Sequence, residues 1–479
     1  MWRVFVAFRY LRRRLTTYIA VAGVAIGVMV LVIVMSVMGG FQREFHEKLR
    51  GINAHMTVRI EGFGLTDWEE ISKEVSRVPG VAASAPFIQH PVLVKSTDVN
   101  FGFVKGIDPL PETGVGKLRE YLLRPREAEV MARYERLERR ISVYETWLAR
   151  ARATAGVDPF ILRLRGKELE VMQEELAELK PEYEALKKRR PLSDDEVDML
   201  FGIRRSELPG LVIGVEMMKY YNLRVGDTIQ LLTTTQAHLE EVRRQNFVVL
   251  SAFKTGIFDN DFRFCYGLLE EVRAFIGCDG VTGLSLRLDD YSRAGEIKDA
   301  VREVVQARLP GEQVAVRTWE ELNKTLLQAV RMEKWLLGFI IFFIVVVAGF
   351  GIVAILTMMV SEKTRDIGIL KALGGSTSGV MGVFLIAGLT IALAGSLAGL
   401  VAGLAFVYNI NEVAAVMEKV IGYHPFPREV YYLDRIPTEV DLLELAGVIL
   451  PTLAMSLLFA LYPAVRAARL EAVEALRYE

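Results

Sequence analysis

Residues 361–375 read SEKTRDIGILKALGG, a short charged stretch set between two long apolar runs, FIIFFIVVVAGFGIVAILTMMV (339–360) and VMGVFLIAGLTIALAGSLAGLVAGLAFV (380–407). Each run has the roughly 20 residues that cross a bilayer, so the stretch between them is a tight connection at a membrane surface. Its own pattern is that of a helix. Ile367, Leu370 and Leu373 recur at helical spacing, with Glu362, Lys363, Arg365, Asp366 and Lys371 around them. Gly374 and Gly375 then supply the usual helix stop. A short amphipathic helix held between two membrane helices suits docking to a soluble partner that pushes on it.

Working outward, two more apolar runs bring the candidate spans to four, at 18–40, 335–360, 380–407 and 442–463. With 52% hydrophobic and 24% charged residues over 479 positions, the chain is too apolar for a soluble protein and too charged for a membrane bundle alone. A membrane part plus a large aqueous part reconciles the two. A net charge of −1 gives no reason to expect nucleic acid as a partner.

Arg3, Arg9, Arg12, Arg13 and Arg14 precede the first span with no acid among them, which places residues 1–17 in the cytoplasm. The first span continues into an amphipathic run and reads as an uncleaved anchor. Alternation puts 41–334 outside, 361–379 inside, 408–441 outside and 464–479 inside. Arg466, Arg469 and Arg477 agree with an inner C-terminus, while Arg331 and Lys334 count against the scheme.

The outer segment opens with Phe41, Phe45, Leu49 and Ile52 on one helical face and closes with Leu322, Leu326 and Val330 on another. Both read as stalk helices rising from the bilayer. Between them, strand-like runs at 55–60, 91–95, 101–106, 228–232 and 247–253 alternate with helical stretches at 67–78 and 292–308, an α+β pattern. Residues 125–208 differ. Two charge-dense helical runs broken at 156–159 predict an inserted antiparallel hairpin, with Leu137, Ile141, Tyr144 and Leu148 facing Leu169, Met172, Leu176 and Leu179 and a kink at Pro181. It reads either as a solvated insertion or as an extra docking arm. The fold class is thus an α-helical membrane protein with four transmembrane helices plus a large α+β extracytoplasmic domain carrying a helical hairpin.

Several chemistries are missing. The chain has no GxxxxGK[ST], HExxH or GxSxG motif, and its five histidines, His46, His55, His90, His238 and His424, show no metal-ligand spacing. No catalytic and no metal-binding residue is expected, and no ATP hydrolysis by this chain. The spans hold essentially no ionisable residue, which argues against ion-driven transport and against a polar pore. Work must then arrive from outside, through the helix at 361–375. Gly395, Gly399 and Gly403, and Gly23 with Gly27, place small residues on one face of the third and first spans and favour close packing in an assembly of two such chains. Cys265 and Cys278 lie in the outer segment; a disulfide is open to them, but nothing demands one and free thiols are the expectation.

The stretches FRYLRRR, VMSVMGGFQREF, VKGIDP, LLQAVRMEKW, SEKTRDIGILKALGGS and YPAVRAARLEAVEALRYE, in that order, resemble the permease subunits of lipoprotein-releasing ABC transporters (the LolC/LolE type) within the MacB/FtsX-like permease superfamily. The resemblance implies a type VII, mechanotransmission system in the bacterial inner membrane with its large domain in the periplasm. Two permeases, identical or not, would join two copies of a LolD-like ATPase, which would bind the ATP and Mg; this chain would carry no cofactor. The coupling residues would be Glu362, Lys363, Thr364, Arg365, Asp366, Ile367, Gly368, Ile369, Leu370, Lys371, Ala372, Leu373 and Gly374. Met35, Met38, Phe41, Val330, Met332 and Trp335 would lie where membrane and stalk meet, at the point where acyl chains of a lipoprotein enter from the lipid.

Carrier-binding members present a proline-containing hook, and the corresponding stretch here, 233–246, has no proline and is charged. That argues against hand-off to a LolA-like periplasmic carrier and fits a subunit that holds cargo. The other readings are an FtsX-like signalling permease that activates a cell-wall hydrolase, and a MacB-like efflux permease.

Overall fold

The computed structural model describes residues 2–11, 15–52, 54–60, 65–153, 158–202, 208–234, 242–421 and 435–471. The chain divides into two compact units, Met1–His46 with Thr325–Glu479, and Glu47–Lys324.

The first unit holds four helices long and apolar enough to span a membrane. They occur within Leu15–Ile52, Lys324–Glu362, Thr377–Tyr408 and Leu442–Arg469. Uninterrupted apolar sequence leaves the backbone no partner but itself, so each run closes its own i to i−4 bonds. Two of the hydroxyls inside do likewise: Thr390 donates to the Ile386 carbonyl and Thr452 to the Val448 carbonyl, both at 2.7 Å.

The third span is the most enclosed of the four, and glycine is the reason. A Cβ on Gly395 would stand 2.6 Å from the Val24 Cβ, one on Gly399 2.8 Å from the Val28 Cβ, and one on Gly403 2.9 Å from the Val32 Cβ. The stripe is therefore filled by the first span of the same chain. The other half of the expectation is corrected. Gly23 has open space around it, and Gly27 only ordinary contact with Ile344 and Ala348. The first span turns its valines, not its glycines, toward the third. Because the third span's stripe is already filled, it lends no support to an assembly of two chains.

Two stretches read as connections contain helices. The N-terminal segment forms Trp2–Leu11, whose Ala7, Tyr10 and Leu11 are buried in the cluster of Val380, Phe384 and Ala387. Residues 408–441 hold the helix Ile410–Ile421, with Ile410 and Ala414 buried against Ile436; 422–434 lie outside the described residues. The expected stripe at Phe45, Leu49, Ile52 and Leu326 falls on side chains likewise outside them.

The second unit is built on nine strands among the described residues: β1 Met56–Ile60, β2 Val81–Lys95, β3 Val99–Ile107, β4 Gly210–Gly214, β5 Thr228–Thr234, β6 Val242–Phe253, β7 Phe264–Leu268, β8 Gly283–Leu288 and β9 Val314–Thr318. Their order is β3-β7-β4-β6-β5-β2-β8-β1-β9, and β3 also pairs with β2. Long β2 makes this possible. Its residues 87–95 pair with β3 and its end with β5, while its start pairs with β8. Six strands thus return on themselves and three extend from them. β3–β7 and β4–β6 are parallel, the rest antiparallel. All five strand-like runs read from sequence are strands; β4, β7, β8 and β9 went unread.

The hairpin is two helices, Pro125–Ala153 and Pro159–Leu186. Leu137, Ile141 and Met172 are buried between them with Tyr144, Leu169, Leu176 and Leu179 packed around, the pairing predicted apart from Leu148. The second helix runs through Pro181 without ending. The root is not a solvated insertion: Ala128, Met131 and Ala132 belong to the domain core. Glu135 accepts from Lys219 at 2.8 Å and Lys254 at 2.7 Å. Burial would push its carboxyl up, but the two lysines hold it down at about 2.

Cys265 and Cys278 are both free, and burial pushes their thiols up to about 12 and about 11. Neither is activated.

Candidate functional site

The segment at 361–375 forms the helix Thr364–Ala372. The break from the second span is a single residue, Lys363, whose N–H still donates to the Met359 and Val360 carbonyls at 3.0 and 3.2 Å. Thr364 donates its hydroxyl to Ser361 at 2.9 Å and Val360 at 3.1 Å. The far end closes as a Schellman turn. Gly375 donates to Leu370 and Gly374 to Lys371, with Gly374 at φ 91°, a conformation a side chain would strain. Ser376 then caps the third span, its hydroxyl accepting from Gly379 at 3.1 Å. Both ends are fixed to the spans by hydrogen bonds, so the segment moves as a piece with them.

Its faces are sharply different. Ile367 is 1% exposed and packs in the cluster of Tyr10, Val360, Phe384 and Ala464; Gly368 is buried beside it. Lys363 sits 5.3 Å over the Tyr10 ring and pairs with Asp366 at 2.8 Å. Lys371 donates to the carbonyls of Ala468 and Leu470, both at 2.6 Å, at the end of the fourth span. Arg365, Ile369 and Leu373, at i, i+4 and i+8, point outward, with Leu373 81% exposed.

This corrects the stripe read as Ile367, Leu370 and Leu373. The helix ends at Ala372, so Leu373 is the C-cap and turns away from the bundle. Through Ile367 and Lys371 the helix contacts the second, third and fourth spans and the N-terminal helix together.

At the opposite end of the first unit, the candidate residues for acyl-chain access divide. Met35 is half-buried against Leu31, Val345 and Val448; Met38, Phe41 and Val330 are also half-buried. Met332 and Trp335 are 66% and 82% exposed and lead into the exposed Phe339 and Phe350 of the second span. The MGG at 38–40 has a structural cause. A Cβ on Gly40 would stand 2.6 Å from the Pro437 backbone, and Ser36 accepts the Glu439 N–H at 2.9 Å, while Arg43 pairs with Glu439. The reading of the sequence missed Tyr10, Pro437 and Glu439. Tyr10 was legible, since Ala7, Tyr10 and Leu11 recur at helical spacing; the other two depend on a contact between distant segments.

Comparison with known proteins agrees along the whole chain. A family model described as FtsX-like permease C-terminal matches residues 338–472, and one described as MacB-like periplasmic core domain matches 17–131. The lipoprotein-releasing system transmembrane protein LolC of Xylella fastidiosa is 28% identical over 487 residues, covering 99% of this chain and 98% of that protein. LolC of Neisseria meningitidis is 28% identical over 486 residues, with 99% and 98% covered. The corresponding LolE of Haemophilus influenzae is 22% identical over 489 residues, with 98% of each covered. The chain is a membrane permease of the ABC-transporter kind, with an FtsX-like permease C-terminal domain and a MacB-like periplasmic core domain, and is similar over its full length to LolC and LolE proteins.

Proposed function

We propose that this chain is the permease subunit of a transporter that extracts lipoproteins from the outer leaflet of the bacterial inner membrane, driven by a separate ATPase. The observation that carries the reading is likeness over the full length to proteins named for lipoprotein release, not to their membrane part alone. The ATPase supplies the ATP and Mg sites. Its closure presses on the helix Thr364–Ala372 through Arg365, Ile369 and Leu373, and the spans relay the movement without a substrate crossing the bilayer. Apart from Glu444 near one end of the fourth, the spans hold no acidic or basic side chain, which supports this, since a mechanical route needs no polar pathway.

In this reading both termini are cytoplasmic, the Glu47–Lys324 unit is periplasmic, and a second permease, identical or related, completes the assembly. Acyl chains enter beside Met332 and Trp335. The stretch 233–246 is the junction of antiparallel β5 and β6, with Thr234 opposite Val242; residues 235–241 lie outside those described. Its lack of proline favours a subunit that holds cargo over one that hands it to a LolA-like carrier.

Depletion of the protein in its host followed by fractionation of lipoproteins tests the reading. Lipoproteins should accumulate in the inner membrane. Normal lipoprotein distribution with failed septation would replace it with the signalling-permease reading.

A further inference from the structure

The proposed function makes no use of the helical hairpin, yet the hairpin's far end has a surface unlike the rest of it. Its two helices are antiparallel, tied by Arg126 to Glu182 at 2.8 Å, by Arg133 to Glu175 at 2.7 Å, and by Arg165 to the Tyr144 hydroxyl at 2.7 Å. That register brings the last turns of the first helix beside the first turns of the second. There Trp147, Phe160, Ile161 and Leu164 are all exposed, Phe160 by 67%. None belongs to the buried stripe that holds the hairpin together, so their apolar surface serves no internal packing.

Charge is segregated the same way. Residues 146–167 hold Arg150, Arg152, Arg163, Arg165 and Lys167 against one acid, Asp158, a net of +4 from five minus one, with Arg165 paired to Glu168 just beyond them at 2.8 Å. Asp158 caps its helix by accepting the Phe160 N–H at 2.8 Å. Arg152, Arg163 and Lys167 are exposed. The next stretch of the second helix, 168–184, holds seven glutamates against Lys180 alone. A merely solvated coiled coil mixes its charges along its length; this one gathers cations where it also exposes aromatic side chains.

Exposed aromatic and aliphatic side chains interleaved with Arg and Lys are the chemistry of a lipid headgroup boundary. Rings settle at the level of the headgroups, cations reach phosphates, and long basic stems lie along apolar surface. An acidic protein partner would be met by the cations alone and gives no role to four exposed apolar side chains. The root, fixed by Glu135 between Lys219 and Lys254, holds the tip rigidly for such a contact. We propose that the hairpin tip is a docking surface for an anionic phospholipid bilayer, through Trp147, Phe160, Ile161 and Leu164 inserted among headgroups held by Arg152, Arg163 and Lys167.

The test uses the full chain in nanodiscs of neutral phosphatidylcholine, mixed with vesicles that contain phosphatidylglycerol or only phosphatidylcholine, and reads co-flotation. Binding should require phosphatidylglycerol and be lost in high salt. The double variant Arg163→Gln, Lys167→Gln should weaken it about 30-fold, and Trp147→Ser with Phe160→Ser should weaken it at least about tenfold, all with unchanged thermal unfolding. Equal flotation with neutral vesicles, or wild-type binding by both double variants, would overturn the proposal. So would vesicle binding that soluble polyglutamate abolishes and that does not depend on Trp147 and Phe160, which would point to an acidic protein instead.

Discussion

The ammonium of Lys371 lies 2.6 Å from the carbonyl oxygen of Leu470, the C-cap of the fourth span's helix, and equally close to that of Ala468. The last carbonyls of a helix have no partner within it and carry the negative end of its dipole. Lys371 satisfies two of them from another element. The short helix between the second and third spans is thereby fastened to a helix it does not touch in sequence, and displacement of one pulls the other.

Replacing Lys371 with Met keeps the length of the side chain and removes the donor. Charge-assisted hydrogen bonds of this kind contribute about 1.5–3 kcal/mol, so the full chain in detergent should lose about 2 kcal/mol. Lys371→Arg, which can also donate to two carbonyls, should lose much less. Thermal unfolding of both variants checks this; equal losses would mean the contact is incidental.

The glycine stripe makes a contrast between two spans. Gly399→Val must push the third span off Val28 and should cost about 1–3 kcal/mol. Gly23→Val meets open space and should cost little, although both positions read alike in the sequence. Thermal unfolding in detergent of the two variants side by side decides it.

That contrast marks what the sequence made legible. Span number, the helix at 361–375 and the hairpin's packed residues follow from periodicities that a single element carries in full. Which glycines pack, and against what, depends on how spans face one another. The same holds for Leu373, whose outward turn follows from where the helix stops, and for Pro437, which matters only because Gly40 meets it. Strands β4, β7 and β8 were missed for a related reason. They are short and almost wholly buried, so they show no alternation between polar and apolar positions.

At the hairpin root, Glu135→Gln would leave Lys254 and Lys219 without their shared carboxylate. Breaking a buried ionic cluster by removing one member costs about 3 kcal/mol. Protease digestion should then cut the variant within 125–208 at concentrations that spare the wild type. Lys219 keeps Glu216 as a partner.

Asp261 gives a pH dependence of defined sign. Burial pushes its carboxyl up to about 7, against hydrogen bonds from the Thr255 N–H and hydroxyl at 2.8 and 2.6 Å and the Gly256 N–H at 3.0 Å. The folded state therefore binds the proton more tightly than the unfolded chain, whose value is 3.8. Its contribution to stability is full below 3.8 and is lost as pH rises through about 7. Thermal midpoints of Asp261→Asn, measured from acid to neutral pH, should fall less steeply than those of the wild type. Parallel slopes would show that Asp261 does not titrate in this range.

The central claim is that an ATPase acting on this chain drives a lipoprotein out of the bilayer. The direct measurement reconstitutes the chain with its ATPase in proteoliposomes carrying a triacylated lipoprotein and follows that lipoprotein into the soluble fraction. ATP should release it, and Leu373→Glu, on the outward face of the helix Thr364–Ala372, should abolish release by preventing ATPase docking. ATP hydrolysis that the permease stimulates, with the lipoprotein remaining in the membrane, would contradict the account.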